Sequence, residues 1–436
     1  MITKLKKMTP FSIFKKTCSL FVVYMFFAAC SKDDFTYEMI QGDNLTIDSI
    51  AFSTGSPLLI ADGQSALEFI IQAYSKRKVT INGVETDSMV LIPEDRIPES
   101  EKKVFDNNGI ETGHRFSTTS TTPATVSFYA KIGNVQSATQ AVNITAPGTA
   151  YSKIVIPVVF HVFELNKTDS KRYPWYLELK HEKLEELVNG LNGIFNRQGT
   201  NAPNGASANI EFVLATTDPA GRTLEKPGHN IYGYPSTFDW GWASFNAVTL
   251  VKENADALLW DPTKYLNVWV LPSVVYYGGL TTTRPAYTLA TDPLPGIDMQ
   301  QVSSASEVPL TEPEGVGLMI GRDELNSTLR APAPNLAYRF GTFYGLFQTY
   351  TYDWDPSLSD YCNDTQKFSL TQYRDIYKKS PEGILFRAQN IMDATFIDWN
   401  VEGGQNLVSR VNTISADQAA RIRYVVENCP ERMARQ

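Results

Sequence analysis

The sequence predicts a chain of two domains, an all-β domain followed by an α/β domain. Three observations carry that reading. The chain has 436 residues, more than one ordinary domain holds. Residues 45–145 alternate apolar and polar positions with the two-residue period of half-buried strands. Beyond residue 153, near-continuous apolar runs alternate with helical stripes, the pattern of a sheet covered on both faces. With 43% apolar and 20% charged residues, the composition is globular and can bury a real core.

Residues 1–29 read as a signal peptide. A basic stretch up to Lys16 precedes an apolar run, Cys18 to Ala29, that is too short to span a bilayer. Phe27-Ala28-Ala29-Cys30 resembles a lipobox, which implies that Cys30 is lipidated and becomes the mature N-terminus. The plainer reading is a signal peptide cut near Ala29, with Cys30 a spare thiol. Ser31-Lys32-Asp33-Asp34 follows and resembles the surface-export signal of Bacteroidetes lipoproteins. The expectation is a lipid-anchored protein of the outer membrane, exposed at the cell surface, with the membrane as a partner through Cys30.

Residues 30–44 form a polar tether. In residues 45–145, Leu67, Phe69 and Ile71 alternate after an Asp62-Gly63 turn, and Asn82-Gly83 signals a hairpin. Val126, Phe128, Ala130 and Ile132 share one face of a later strand. About 100 residues of this kind suggest an immunoglobulin-like sandwich. Nothing in it suggests chemistry, so a spacer role is expected. Residues 146–152, with Ala146-Pro147-Gly148-Thr149, read as a linker to a second domain at 153–436.

That domain opens on an apolar strand, Ile154 to Phe163. A helix is predicted over 181–197, with Leu184, Leu187, Val188, Leu191, Ile194 and Phe195 as its apolar stripe. Strands are predicted at Asn209–Ala215, Leu266–Leu271 and Val316–Ile320. A second helix is expected over Asn335–Gln348. A last one starts at Ser415, with Gln418 completing a capping box, and runs to about Asn428.

The formal net charge is −8, and the signal segment carries five lysines and no acid, so the mature chain is more acidic still. That argues against nucleic acid as a partner. Of four cysteines, Cys18 leaves with the signal and Cys30 takes the lipid. Cys362 and Cys429 remain, an even pair in an oxidising compartment. They read as one disulfide, with two free buried thiols as the alternative.

Several segments together carry a family resemblance. They are Ile156-Pro157-Val158-Val159-Phe160-His161-Val162-Phe163, Leu266-Asn267-Val268-Trp269-Val270-Leu271-Pro272 and Gly345-Leu346-Phe347. With them go Asp360-Tyr361-Cys362-Asn363-Asp364-Thr365, Asn390-Ile391-Met392-Asp393 and the final helix ending in Cys429-Pro430. In this order they resemble a pappalysin-type metzincin, in particular the zinc-dependent metalloproteinase lipoproteins of Bacteroidetes. The resemblance covers roughly residues 153–430 and implies a metzincin-like zinc-protease fold.

Such a protease needs a helix reading H-E-x-x-H-x-x-G-x-x-H. Two His at i and i+4 share a helix face and one zinc, the Gly turns the chain toward a third His, and the Glu polarises the bound water. Here the frame reads Tyr338-Arg339-Phe340-Gly341-Thr342-Phe343-Tyr344-Gly345-Leu346-Phe347-Gln348. Tyr338, Thr342 and Gln348 stand at the ligand positions, Arg339 at the base position, and Gly345 is kept. Met392 matches the Met-turn methionine. The family's transition-state tyrosine two residues later is Ala394 here. Neutral oxygen donors are poor zinc ligands. A +2/+1 pair ~5 Å apart at an effective dielectric of ~20 repels by about 6–7 kcal/mol, so Arg339 opposes zinc. No histidine lies after His229.

No zinc and no other cofactor is therefore expected, with calcium as a candidate at Asp353, Asp355, Asp360 and Asp364. His161 and His181 read as core and helix-end residues rather than ligands. Leu336, Phe340, Phe343 and Phe347 have core spacing, so the helix is expected to persist as scaffold. The reading is a surface lipoprotein with a metalloprotease fold that has lost zinc and peptidase activity. Its role is then to bind a peptide or protein, or structural. Two alternatives stay open: a hydrolase with an unrecognised site, and a surface adhesin or glycan-binding lipoprotein. No G-x-S-x-G and no free mature Cys–His pair supports the former.

Overall fold

The structure is a computed structural model, and it describes residues 46–81, 84–148, 150–164, 178–233, 243–271, 283–326, 332–372, 375, 377–393 and 411–434. The expected signal segment, Cys30, the expected tether and the hairpin turn expected at Asn82-Gly83 lie outside the described residues. Among the described residues, no helix is long and apolar enough to cross a membrane.

The first module is all β. Strands β1 (Ser49–Ser53), β4 (Ile70–Ile81) and β5 (Val84–Leu91) form an antiparallel sheet in the order β1-β4-β5. The second sheet runs β2 (Leu58–Ile60), β10 (Gln140–Thr145), β8 (Thr125–Ile132), β6 (Lys102–Asp106), with β9 (Val135–Gln136) on β8. Only the β2–β10 pairing in it is parallel. A third pair joins β3 (Leu67–Glu68) to β7 (Arg115–Phe116). Val126, Phe128, Ala130 and Ile132 are all buried, as their alternation predicts. The two main sheets close on aromatic rings: Phe69 lies 5.6 Å from Phe52 of β1 and 5.0 Å from Phe128 of β8.

The boundary legible at residues 146–152 does not separate the modules in space. Residues Ile47–Gln436 form one compact unit. Backbone hydrogen bonds run from Ile60 to Pro203 and from Ala66 to Asn201, both 2.9 Å. Arg197 forms a short ion pair with Asp62 and donates to the Ser65 hydroxyl at 2.6 Å.

The second module is built on a wholly parallel sheet. Strand β11 (Ile154–Glu164) is central. Along one edge it pairs first β12 (Ile210–Leu214) and then β13 (His229–Gly233), and on the other β14 (Leu266–Leu271). The short pair β15 (Tyr287–Thr288) and β16 (Gln300–Gln301) lies apart, and β17 (Gly317–Gly321) completes the sheet beyond β14. Every residue of β14 and β17 is buried, which is why these strands read as continuous apolar runs. Helix α1 (His181–Phe195) buries all six of its predicted stripe residues. Helices α2 (Ala243–Glu253), α3 (Ala255–Leu258), α4 (Pro313–Val316), α5 (Arg322–Leu325), α6 (Pro332–Phe343) and α7 (Ala416–Asn428) follow. At Gly190 of α1 an added Cβ would stand 2.5 Å from Ala333 Cβ of α6, so this glycine permits a close helix crossing. Ser415 and Gln418 form the predicted capping box of α7.

The disulfide expected between Cys362 and Cys429 is not formed; both are free buried thiols. The reason is geometric. Cys362 lies by the first turn of α7, where Asn363 N bonds Asp417 Oδ2 at 2.7 Å, whereas Cys429 caps the far end of that helix. Thirteen helical residues span ~20 Å, while a disulfide requires Cα atoms within ~7 Å. Burial pushes both thiols up from their ordinary range.

Candidate functional site

Helix α6 carries the frame predicted to matter, and it ends at Phe343, five residues before the expected Gln348. The stop is Gly345, whose φ of +85° an L side chain rarely adopts. A Cβ there would also meet Val425 Cγ2 at 3.1 Å. The turn is fixed from outside, since Arg421 donates through Nε and Nη2 to the Gly345 carbonyl at 3.3 and 3.0 Å. Beneath the helix, Met392 is fully buried, and its Sδ would stand 3.2 Å from a Cβ added at Gly341. Its carbonyl accepts from the Thr349 backbone and hydroxyl at 3.3 and 3.2 Å. Ala394 lies outside the described residues.

Each of the other frame positions has its own occupation. Arg339 reaches Glu324 of α5, with Nη2 3.1 Å from Oε1 and Nε 3.4 Å from Oε2. The Thr342 hydroxyl donates to the Tyr338 carbonyl one turn back, at 3.1 Å. Tyr338 neighbours Tyr350, whose ring lies 5.7 Å from that of Tyr352, edge to face. Burial, above all, raises both Tyr338 and Tyr350 above the usual phenol range. Gln348 is half-buried beyond the turn. Next to it Phe347 lies under the Arg284 guanidinium, 3.8 Å from ring centre to Cζ, with Arg421 at 5.5 Å.

This donor set does not fit zinc. The ligand positions hold no imidazole, thiolate or carboxylate, one hydroxyl is spent on the backbone, and a second is a phenol raised by burial. The four aspartates do not converge either. Asp353 accepts from Ser369 at 2.6 Å, Asp355 from Ser357 at 2.7 Å, and Asp360 from the Thr365 hydroxyl. Asp364 accepts from Ser415 Oγ at 2.6 Å and Asp417 N at 3.0 Å, at the start of α7. Burial raises Asp364 to about 6. Among the described residues, no group of three or more His, Cys, Asp or Glu is placed to hold a metal.

His161 is a core residue. It is fully buried, with Nε2 2.8 Å from Asn267 Oδ1 and Nδ1 2.8 Å from Asn230 Nδ2. Asn267 Nδ2 donates to the Trp260 carbonyl at 2.9 Å, so its Oδ1 accepts. The imidazole is therefore neutral and protonated on Nε2, and desolvation lowers it to about 4. His181 opens α1 and stacks on His229 at 6.1 Å.

Three residues escaped the sequence reading: Glu324, Tyr350 and Tyr352. Tyr350 and Tyr352 sit in a short extended stretch with no period. Glu324 lies on a four-residue helix, too short for a stripe. An arginine on an apolar helical stripe was the one available signal that a carboxylate must be near.

No family model matches the chain, and no curated protein matches it. Among solved structures it is similar to mature mirolysin of Tannerella forsythia in complex with a cleaved peptide. That likeness has 19% identity over 66% of this chain and 97% of the other, with a TM-score of 0.42. Mirolysin in complex with compound 9 gives the same figures. A promirolysin mutant of the same organism is 20% identical over 66% of this chain and 85% of the other, at a TM-score of 0.41.

Proposed function

We propose that this chain is a surface lipoprotein on a metzincin-like frame that has given up zinc and peptide hydrolysis and acts by binding a peptide or protein. The observation that carries the reading is the Arg339–Glu324 pair. The position that would hold the general base bears a cation, fixed by a carboxylate whose side chain is 12% exposed. An arginine cannot accept a proton from water at neutral pH. The retained scaffold supports the same reading: the Gly345 turn, the buried Met392 under Gly341 and the parallel sheet persist around the altered positions. On this proposal, Cys30 carries the lipid and the tether reaches from the outer membrane. The first module serves as an immunoglobulin-like support, docked rigidly through Arg197.

The test is incubation of the purified mature chain with a denatured protein substrate and with a peptide library. Mass spectrometry then reads both the captured and the cleaved species. Retention of intact peptides supports the proposal. New termini that accumulate in proportion to enzyme, and survive the usual inhibitors of contaminating proteases, would overturn it.

A further inference from the structure

Between the two modules lies a partly open cavity that nothing above uses. It measures about 150 Å³ and lies between the β3–β4 edge of the first module and residues 201–203 and 377–389 of the second. One water occupies ~30 Å³ in the liquid, so this space has room for several waters or for a small organic molecule. One end is cationic. Among the described residues Arg387 forms no ion pair: its Nη2 donates to the Tyr377 hydroxyl at 2.8 Å, that hydroxyl donates in turn to Glu94 Oε1 at 3.1 Å, and the guanidinium lies 5.0 Å from the ring's centre. A guanidinium has five N–H donors in a planar fork that matches a carboxylate, so most of this one's capacity is unspent.

Opposite polarity is supplied from the first module. Glu68 lines the same cavity, and its ion-pair partner, Arg115, stands 3.7 Å away with both side chains half exposed. Phe69 and Ile70 add apolar wall. A smaller chamber of about 50 Å³ shares Gly55, Pro203, Arg387 and Gln389 with the first. There Gln366 donates to the Gly55 carbonyl at 2.7 Å and leaves its Oε1 buried without a hydrogen-bond partner. A buried acceptor of that kind is unusual and calls for a donor.

The geometry points to a binding site between the modules for a small zwitterion, an α-amino acid with an apolar side chain. Its carboxylate meets the free N–H groups of Arg387, its ammonium meets Glu68, and its side chain lies on Phe69 and Ile70. The ligand touches both modules, so it also locks their joint. This assignment is independent of what the α6 frame does.

Isothermal titration calorimetry on the mature chain tests it, with the twenty free L-amino acids as probes. The best of them is then compared with its amide, its N-acetyl derivative and its D-enantiomer. The expected result is saturable, stereoselective binding. Blocking either end should weaken it about tenfold or more, the effect of losing one hydrogen bond to a charged group. Arg387→Gln and Glu68→Gln should each weaken it similarly. Glu68→Gln changes a half-exposed residue, so it answers the question even where Arg387→Gln disturbs the fold. No heat from any free amino acid, or equal affinity for amide, N-acetyl and free forms, would overturn the assignment.

Discussion

Placing a glutamate at residue 339 should destabilise the protein, because the structure has already committed a carboxylate to that spot. Arg339 is 28% exposed and Glu324 12%, so the pair is largely withdrawn from water. Arg339→Glu deletes the ion pair and sets two carboxylates face to face. At ~4 Å and an effective dielectric of ~20 they repel by about 4 kcal/mol. Protonating one of them limits the loss, and at pH 7 that costs a glutamate with an ordinary value of ~4.3 about 3.7 kcal/mol. The expected deficit at pH 7 is therefore about 3–4 kcal/mol. The sign with pH follows from the same step. In the folded variant one carboxylate is raised above its unfolded value, so the deficit is largest at neutral pH and shrinks as pH falls toward ~4.5. Glu324→Gln in the same chain should recover most of the loss. Guanidinium unfolding of the wild type, both single variants and the double variant at pH 7 and pH 5 measures all of this. A variant within about 0.5 kcal/mol of wild type at pH 7, the range of an indifferent surface change, would refute the reasoning. So would a deficit that Glu324→Gln leaves untouched.

Gly345→Ala should cost about 1–3 kcal/mol in a melt or denaturant titration, since φ is +85° and the new methyl would press on Val425 and Ile297. His161 should stay neutral, protonated on Nε2, down to about pH 4 in nitrogen-edited NMR spectra. Its folded value is lowered, so its contribution is present above ~6.5 and declines as pH falls. The fold should lose about 2 kcal/mol between pH 7 and pH 5 on this account. Both Cys362 and Cys429 should react with a thiol reagent after unfolding without reductant and resist it before, and a fragment pattern showing them bridged would contradict the structure. Tyr338→His, Arg339→Glu, Thr342→His and Gln348→His together should give weak zinc uptake and little cleavage, improving when Ala394→Tyr and Glu324→Gln are added. Cleavage at full rate in the first variant would show that only the ligands had been lost.

The sequence was most legible where one physical demand acts on every residue of a segment. Strands β11 and β14 are buried on both faces, so they could be read as apolar runs, and α1 as a stripe, because it lies on the sheet. The capping box at Ser415 is local and was read directly. Strand β13 was not read: its central Ile231 is 54% exposed and its pattern lacks a buried face. The end of α6 was missed because a helical stripe continues through Phe347, while the chain leaves the helix at Gly345. The disulfide failed because counting cysteines carries no information about the length of α7 between them. Within the site, the residue types at the expected ligand positions were legible one by one. The compensating contacts were not: Glu324, Tyr350 and Tyr352 meet the frame through tertiary packing, which leaves no period in the chain. The contacts of Arg197 across the modules escaped for the same reason.

The central claim is that the α6 frame no longer binds zinc, and metal content tests it most directly. The mature chain is purified, loaded with excess zinc at neutral pH, dialysed against metal-free buffer and assayed by elemental analysis. The account predicts zinc far below one equivalent, unchanged by Thr342→Ala and Gln348→Ala. About one zinc per chain, lost in those variants, would contradict it.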